Sequence, residues 1–396
     1  MTAIEKKIVI FFEEHLGIFM VGAITVLGIM IRYGLRKLSN MDVEQCLIPW
    51  YNDIRNSGGF KALGKQVGNY NMLYQTLIAF LTYLPIDALY AYKISSAIFD
   101  YILAAVIGML VYRYSDRNRR WRGIIAYAAV VLSPVVLLNS SAWAQCDSIY
   151  VCFAVMALAM LCREKYMAAF ILLGAALSFK LQAVFILPLF LFAYVWRKRF
   201  SILNFLVIPV VMCVLNVAGV IMGRSFLDVF KIYFVQTGEY LVMVQNYPSV
   251  WLLLVENFHP DFYWYLRWPA ILLTVGILMF LMVFLLQKKV ECNPCNLVYA
   301  AFLLSYTCVL FLPAMHERYG YLHEILAIVI FIWKRKTIVL LVPMYCLTVM
   351  TYASFLFGVE TRASVIMALV NLIVYLGYVV VLVQEMTEYK KHENVP

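Results

Sequence analysis

Five polar islands interrupt an otherwise apolar chain, and their residue types are those of proton transfer and anion binding. Asp42 and Glu44 form the first, Lys93 and Asp100 the second, Gln145 and Asp147 the third, and Lys180 with Gln182 the fourth. The fifth is the run His316, Glu317, Arg318 and Tyr319. Acids, bases and a histidine gathered at one membrane face are the raw material of interfacial chemistry. Each also has a plainer role. Lys93 and Asp100 are seven residues apart on one rough helix face, as a buried polar anchor between helices would be. Lys180 is either an anion ligand or a side chain snorkelling to the interface, and Arg318 could simply pair with Glu317 or another acid. Cys292 and Cys295 have the inner spacing of half a zinc site, but no second Cys or His pair accompanies them.

Short loops far apart in sequence converge only if a bundle gathers them, and the composition says what kind of bundle. Of 396 residues, 64% are hydrophobic and 14% charged, where a soluble domain carries about a quarter charged residues. Mean hydropathy is +0.84. The apolar residues come in blocks such as Ala270 to Leu286, close to the roughly 17–25 residues that cross a bilayer core. This is an all-α polytopic membrane bundle, a single integral membrane domain over 1–396. A net charge of +10 belongs to basic residues at block ends, which anchor topology rather than bind nucleic acid. Most of the nine cysteines, including Cys152, Cys162, Cys213, Cys308 and Cys346, read as small buried residues.

Candidate spans lie at about 16–35, 88–112, 123–138, 147–162, 166–180, 182–196, 201–222, 268–287, 296–313, 319–333, 337–357 and 363–385, a count of about 11–13 once boundary errors are allowed. Residues 4–14 read as a separate interfacial helix before the first span. Basic clusters at Arg113–Arg122, Arg197–Arg199, Lys288–Lys289 and Lys334–Lys336 then share one side with both termini, and the positive-inside rule makes that side cytoplasmic. Arg36 and Lys37 run against this assignment. Two long loops are external, 36–87 and 223–266. Tyr70 to Leu84 is too short to cross and should lie in the interface. Phe226, Val229, Phe230, Tyr233 and Phe234 recur at helical spacing, giving a second flat amphipathic helix.

With these residues in place the chain resembles the multispanning GT-C glycosyltransferases, and within them the bacterial proteins related to the second mannosyltransferase of GPI-anchor synthesis. The resemblance runs over about 40–320 in consistent order. It comprises Asp42 with Pro49-Trp50-Tyr51, Gly58-Gly59-Phe60, Asn69-Tyr70, Leu73-Tyr74, Lys93, Asp100 and Trp143-Ala144-Gln145-Cys146-Asp147-Ser148. Lys180-Leu181-Gln182 with Pro188, then Asn246 before Trp251, and finally Met315-His316-Glu317-Arg318-Tyr319 complete it. Ala144 stands where that family commonly has glycine, Val43 where an aromatic follows the acid, and Tyr321-Leu322-His323 where an aromatic-Pro run is usual.

The resemblance implies transfer of a hexose, mannose being one candidate, from a polyprenyl-phosphate-linked donor to a hydroxyl of a glycan, glycolipid or cell-envelope polymer. The reaction would use the non-cytoplasmic face of a bacterial plasma membrane in preference to the endoplasmic reticulum, and would invert the anomeric centre. Asp42 would be the general base, because a hydroxyl is a poor nucleophile until a carboxylate takes its proton. Arg318, Lys180 and His316 would bind the donor phosphate. Asp147, Gln145, Glu44, Gln182 and Tyr319 would orient the sugar or hold loops, and Asp100 with Lys93 would be structural. No cofactor is expected. Asp42 and Glu44 have the spacing to share a divalent ion, but a metal-independent reaction is favoured. The alternative class is a transporter or a flippase for lipid-linked sugars. Those tend to carry internal repeats and midplane sites, and no repeat is visible here.

Overall fold

The computed structural model describes residues 1–393. Helix α1 (Ala3–Leu35) starts at a capping box in which the Thr2 hydroxyl accepts from the Glu5 amide and the Glu5 carboxylate accepts from the Thr2 amide. It runs unbroken for 33 residues, so the separate interfacial helix expected over 4–14 is instead the first part of α1. A π-turn (Val43–Leu47), α2 (Ile48–Asn56), a 3-10 turn (Gly59–Gly64) and α3 (Met72–Leu81) follow. Helix α3 packs one face into the protein. It buries Met72, Tyr74, Gln75, Ile78, Ala79 and Leu81, and Tyr74, Ile78 and Ala79 join a local cluster with Tyr51, Tyr92, Ala144 and Ile149.

Next come α4 (Ala88–Tyr114), α5 (Arg119–Val131), α6 (Pro134–Leu137) with a π-turn (Leu138–Ala142), α7 (Asp147–Cys162), α8 (Tyr166–Phe179), a 3-10 turn (Leu181–Ile186) and α9 (Leu187–Arg197). After a 3-10 turn (Ile202–Leu206) lie α10 (Val207–Leu215), α11 (Val217–Ile221), α12 (Asp228–Thr237) and α13 (Tyr263–Gln287). The chain closes with α14 (Pro294–Phe311), α15 (Tyr321–Trp333), α16 (Ile338–Phe357) and α17 (Val365–Glu393). Strands β1 (Val244–Gln245) and β2 (Met315–His316) form one short parallel pair.

This is an all-α polytopic bundle, and the protein is an integral membrane protein. Among the described residues, six helices are long and apolar enough to cross, seven if Arg119–Val131 and Pro134–Ala142, bent by 41° at the break between them, count as one. The expected span 123–138 is that bent pair, and 201–222 is broken into three short pieces. Asp147–Cys162, Tyr166–Phe179, Leu181–Arg197, Ile202–Leu215 and Tyr321–Trp333 are also shorter than a full span. A helix of about 14 residues reaches only about 21 Å. Irregular backbone at membrane depth is tolerated where protein or a cavity, rather than lipid, surrounds it. That condition is met by α7 and α15, which are buried along most of their length.

The bundle has two unlike ends. At one, the Arg197 guanidinium donates to the Leu161 carbonyl at 2.7 Å, Trp196 to the Val290 carbonyl at 2.8 Å, and Trp333 to the Ser115 hydroxyl at 3.2 Å. Arg120 reaches the Glu14 carbonyl, and Lys334 and Lys336 pair with Glu385. All four basic clusters and both terminal helices therefore meet at this end. The other end holds Asp42, Gln145, Asp147, Lys180 and Arg318.

Candidate functional site

Asp42 precedes the π-turn at 43–47, whose entry is fixed by the Asn40 side-chain oxygen accepting from the Val43 amide at 3.2 Å. The Trp143 indole donates to Asp42 Oδ2 at 2.9 Å, the Gln145 amide donates to the same oxygen at 3.3 Å, and Arg318 Nη1 lies 3.5 Å from it. Among the described residues nothing donates to Oδ1, and the side chain keeps 32% of its exposure. Two hydrogen-bond donors and one guanidinium converge on one oxygen and leave the other available.

Trp143 and Gln145 are aimed by unusual backbone. The π-turn at 138–142 ends at Trp143, and Ala144 has φ +60°. That left-handed conformation suits glycine and costs an L-residue with a Cβ roughly 1–2 kcal/mol. It explains in physical terms why glycine would sit easily where this chain has Ala144. π-turns of this kind recur at functional sites.

Behind Asp42 lies a buried charge network. Lys180 Nζ is 2.5 Å from Asp147 Oδ1, and both side chains are buried. Asp147 Oδ2 accepts from the Asn139 amide at 2.9 Å and stands 4.0 Å from Arg318 Nε. Lys180 is therefore not snorkelling. Asp147, with no exposed surface, occupies the place of its counter-ion and a loop tie rather than a surface for sugar. Arg318 lies between Asp42 and Asp147 and over the Trp143 ring, 5.4 Å from its centroid. It pairs with those two acids and not with Glu317.

Lys180 and Arg318 form the polar pole of a cavity of about 400 Å³. Leu181, Val184, Phe185, Ile271, Leu312 and Pro313 supply apolar walls, and Tyr319 and Gln182 also line it. A hydrophilic rim comes from residues that the polar-island reading missed: Asn69, Gln236, Thr237, Glu239 and Tyr240. Asn69 donates to Glu239 at 2.6 Å, and Gln236 donates to the Asn69 carbonyl at 2.6 Å. A sequence signal existed in the polar run Gln236 to Tyr240 at the end of an apolar helix. On that helix Val229 and Ile232 face inward while Phe234 and Val235 are exposed, so α12 carries apolar residues on two sides, not one.

Other sequence candidates lie apart from this cavity. Glu44 is exposed. Among the described residues no group of three or more His, Cys, Asp or Glu side chains is arranged to hold a metal ion. The His316 ring packs edge-on against Tyr240 at 4.6 Å and does not line the cavity. Burial, with Arg318 and Lys180 nearby, pushes its imidazole well below the ordinary value. Its Nε2 is buried without a hydrogen-bond partner among the described residues, and its backbone pairs with Gln245 in the short strand pair. Glu317 is pushed up to about 7 by burial, against the opposing field of Arg318.

Lys93 and Asp100 do not pair. Lys93 donates to the carbonyls of Leu35 (3.0 Å), Arg36 (3.2 Å) and Leu38 (2.6 Å), closing the end of α1. Asp100 instead pairs with Arg32 at 2.9 Å and accepts from the Ser140 hydroxyl at 2.6 Å, inside the π-turn that leads to Trp143. No protein-family model matches the chain, and no curated protein does either.

Proposed function

We propose that this protein is a glycosyltransferase that moves a hexose from a polyprenyl-phosphate-linked donor to a hydroxyl of a glycan or glycolipid acceptor on the non-cytoplasmic membrane face. The observation that carries this reading is the placement of Arg318. Its guanidinium joins the polar pole of a cavity with apolar walls and a hydrophilic rim to the carboxylate of Asp42, which lies outside that cavity. An amphiphile with an anionic head fits such a cavity. Its phosphate takes Arg318 and Lys180, and its hydrocarbon lies on Leu181, Val184, Phe185 and Ile271. Trp264, Tyr265 and Trp268 on α13 are exposed, as side chains of an interfacial aromatic belt are. An aromatic belt there supports a cavity at headgroup level, within reach of lipid.

In the proposed step, Asp42 Oδ1 takes the acceptor hydroxyl proton as the oxygen attacks the anomeric carbon. The bond from that carbon to the phosphate oxygen breaks, its electron pair leaves on the lipid phosphate, and the anomeric centre inverts. Arg318 and Lys180 hold the departing charge, where preorganised donors act more strongly than they would in water. Purified protein, assayed with radiolabelled polyprenyl-phosphate hexoses and lipid-extract acceptors, should yield labelled product with at least one donor. Protein that carries such donors across vesicles without bond cleavage would replace this reading with a flippase.

A further inference from the structure

We infer that the basic end of the bundle holds a second binding site, one for a phosphate-bearing anion, and that its occupant is the headgroup of an anionic membrane lipid. A cavity of about 500 Å³ lies there among α4, α5, α14, α15 and α17. It is lined by Arg113, Arg119, Arg122 and Lys334, with Asn293, Asn296, Tyr299 and Trp333. Asp116, Glu291 and Glu385 also line it, so the charge balance has to be worked out pair by pair. Glu385 is taken by Lys334 and Lys336. Asp116 and Glu291 lie just ahead of the N-termini of α5 and α14, where helix dipoles favour negative charge. Arg113, Arg119 and Arg122 form no ion pair within 4.0 Å among the described residues, and Arg119 only donates to the Ser115 carbonyl at 2.7 Å. Three guanidiniums therefore face a polar cavity with no carboxylate bound to any of them.

Basic pockets between membrane helices are suited to lipid phosphates, and a guanidinium holds two phosphate oxygens at once. The helix shafts leading away from this cavity favour a lipid over a free ion. Met109 and Tyr112 on α4, and Trp121 and Ile125 on α5, are exposed and apolar, so acyl chains can lie against the same helices whose ends hold the headgroup. This site is at the opposite end from Asp42 and Arg318 and is independent of the proposed transfer reaction.

The test is retention of phosphatidylglycerol by the full-length protein, measured by native mass spectrometry after exchange into mixed phosphatidylcholine and phosphatidylglycerol. The parent should retain phosphatidylglycerol selectively. Arg113→Gln/Arg122→Gln should weaken that retention by about tenfold or more, at roughly 1 kcal/mol per basic residue near an anionic surface. The single variants Arg113→Gln and Arg122→Gln should each show part of the loss, and they decide the matter if the double variant does not fold. Lys336→Gln, outside the cavity lining, should retain the lipid. Inorganic phosphate is the second probe. If it displaces the lipid from the parent and stabilises the parent but not the double variant, the anion site stands with a free-phosphate source. Equal retention by parent and arginine variants, or an equal loss in Lys336→Gln, would overturn the proposal.

Discussion

Lys180 and Asp147 form a buried ion pair of 2.5 Å at the junction between the cavity and the loop that carries Trp143 and Gln145. The pair does two jobs that mutation can separate. Removing one partner of a buried pair typically costs about 3–5 kcal/mol, because the other charge is left uncompensated. Asp147→Asn and Lys180→Met should therefore each lower thermal stability sharply. The double variant should lose less than the sum of the two, as a double-mutant cycle on unfolding would record. If Lys180 also binds the donor phosphate, the double variant recovers stability without recovering transfer.

Asp42 should behave in the opposite way. It is one-third exposed, and one of its oxygens is free, so Asp42→Asn keeps the packing and removes the base. Turnover should fall at least about 10²-fold, with little change in melting temperature or donor retention. Trp143→Phe removes one donor to Oδ2 and leaves Arg318 in place, so a smaller loss is expected. Near-normal turnover in Asp42→Asn would move the base elsewhere.

Arg318 tests the phosphate assignment. The planar guanidinium binds two phosphate oxygens, whereas lysine presents a single compact charge. Arg318→Ala should weaken donor binding and slow transfer together, by about 10² to 10³-fold in kcat. Arg318→Lys should restore only part of this, and Lys180→Arg should keep part of the parent activity. An Arg318→Ala protein that binds and turns over donor like the parent would reduce Arg318 to an anchor between Asp42 and Asp147.

The two unlike ends make the membrane orientation testable. In a background with Cys46 and Cys346 replaced by serine, Ser57→Cys and Asn118→Cys place thiols at exposed positions on opposite ends. An impermeant maleimide added outside intact cells should label Ser57→Cys and leave Asn118→Cys unlabelled until the membrane is opened. Labelling of both from outside would overturn the cytoplasmic assignment of the basic end.

What the sequence revealed follows the range of each signal. Hydropathy marked the apolar blocks, and charge clusters predicted the grouping now seen at one end. Local spacing suggested a Lys93–Asp100 pair because seven residues are two turns of one helix. The actual partner of Asp100, Arg32, lies 68 residues away in α1, hidden inside the first apolar block. Periodicity carries no information about which helices touch. Lys180 and Asp147 were each conspicuous as polar interruptions, but their pairing across 33 residues is likewise tertiary. Hydropathy places the short α7 and α15 among the candidate spans because it cannot tell lipid from a protein wall. The polar run Gln236 to Tyr240 stands out at the end of an apolar helix, but nothing in the sequence says that a cavity faces it.

Glu317 gives a pH prediction whose sign can be worked out. Its carboxyl is buried beside Arg318 and pushed up to about 7 from an ordinary value of 4.5, with burial the larger cause. The folded protein therefore holds this proton over a range where the unfolded chain has released it. Stability from this group is fully present below the unfolded value and falls as pH rises through 4.5 towards 7. A shift of this size corresponds to up to about 3 kcal/mol. Glu317→Gln keeps the shape and cannot ionise. Thermal unfolding in detergent should find parent and variant nearly equal at pH 4.5, with the variant gaining relative to the parent up to about pH 7 and the gap constant above it. A gap that does not change with pH would mean that Glu317 titrates alike in folded and unfolded chains, and that Arg318, not burial, governs its charge.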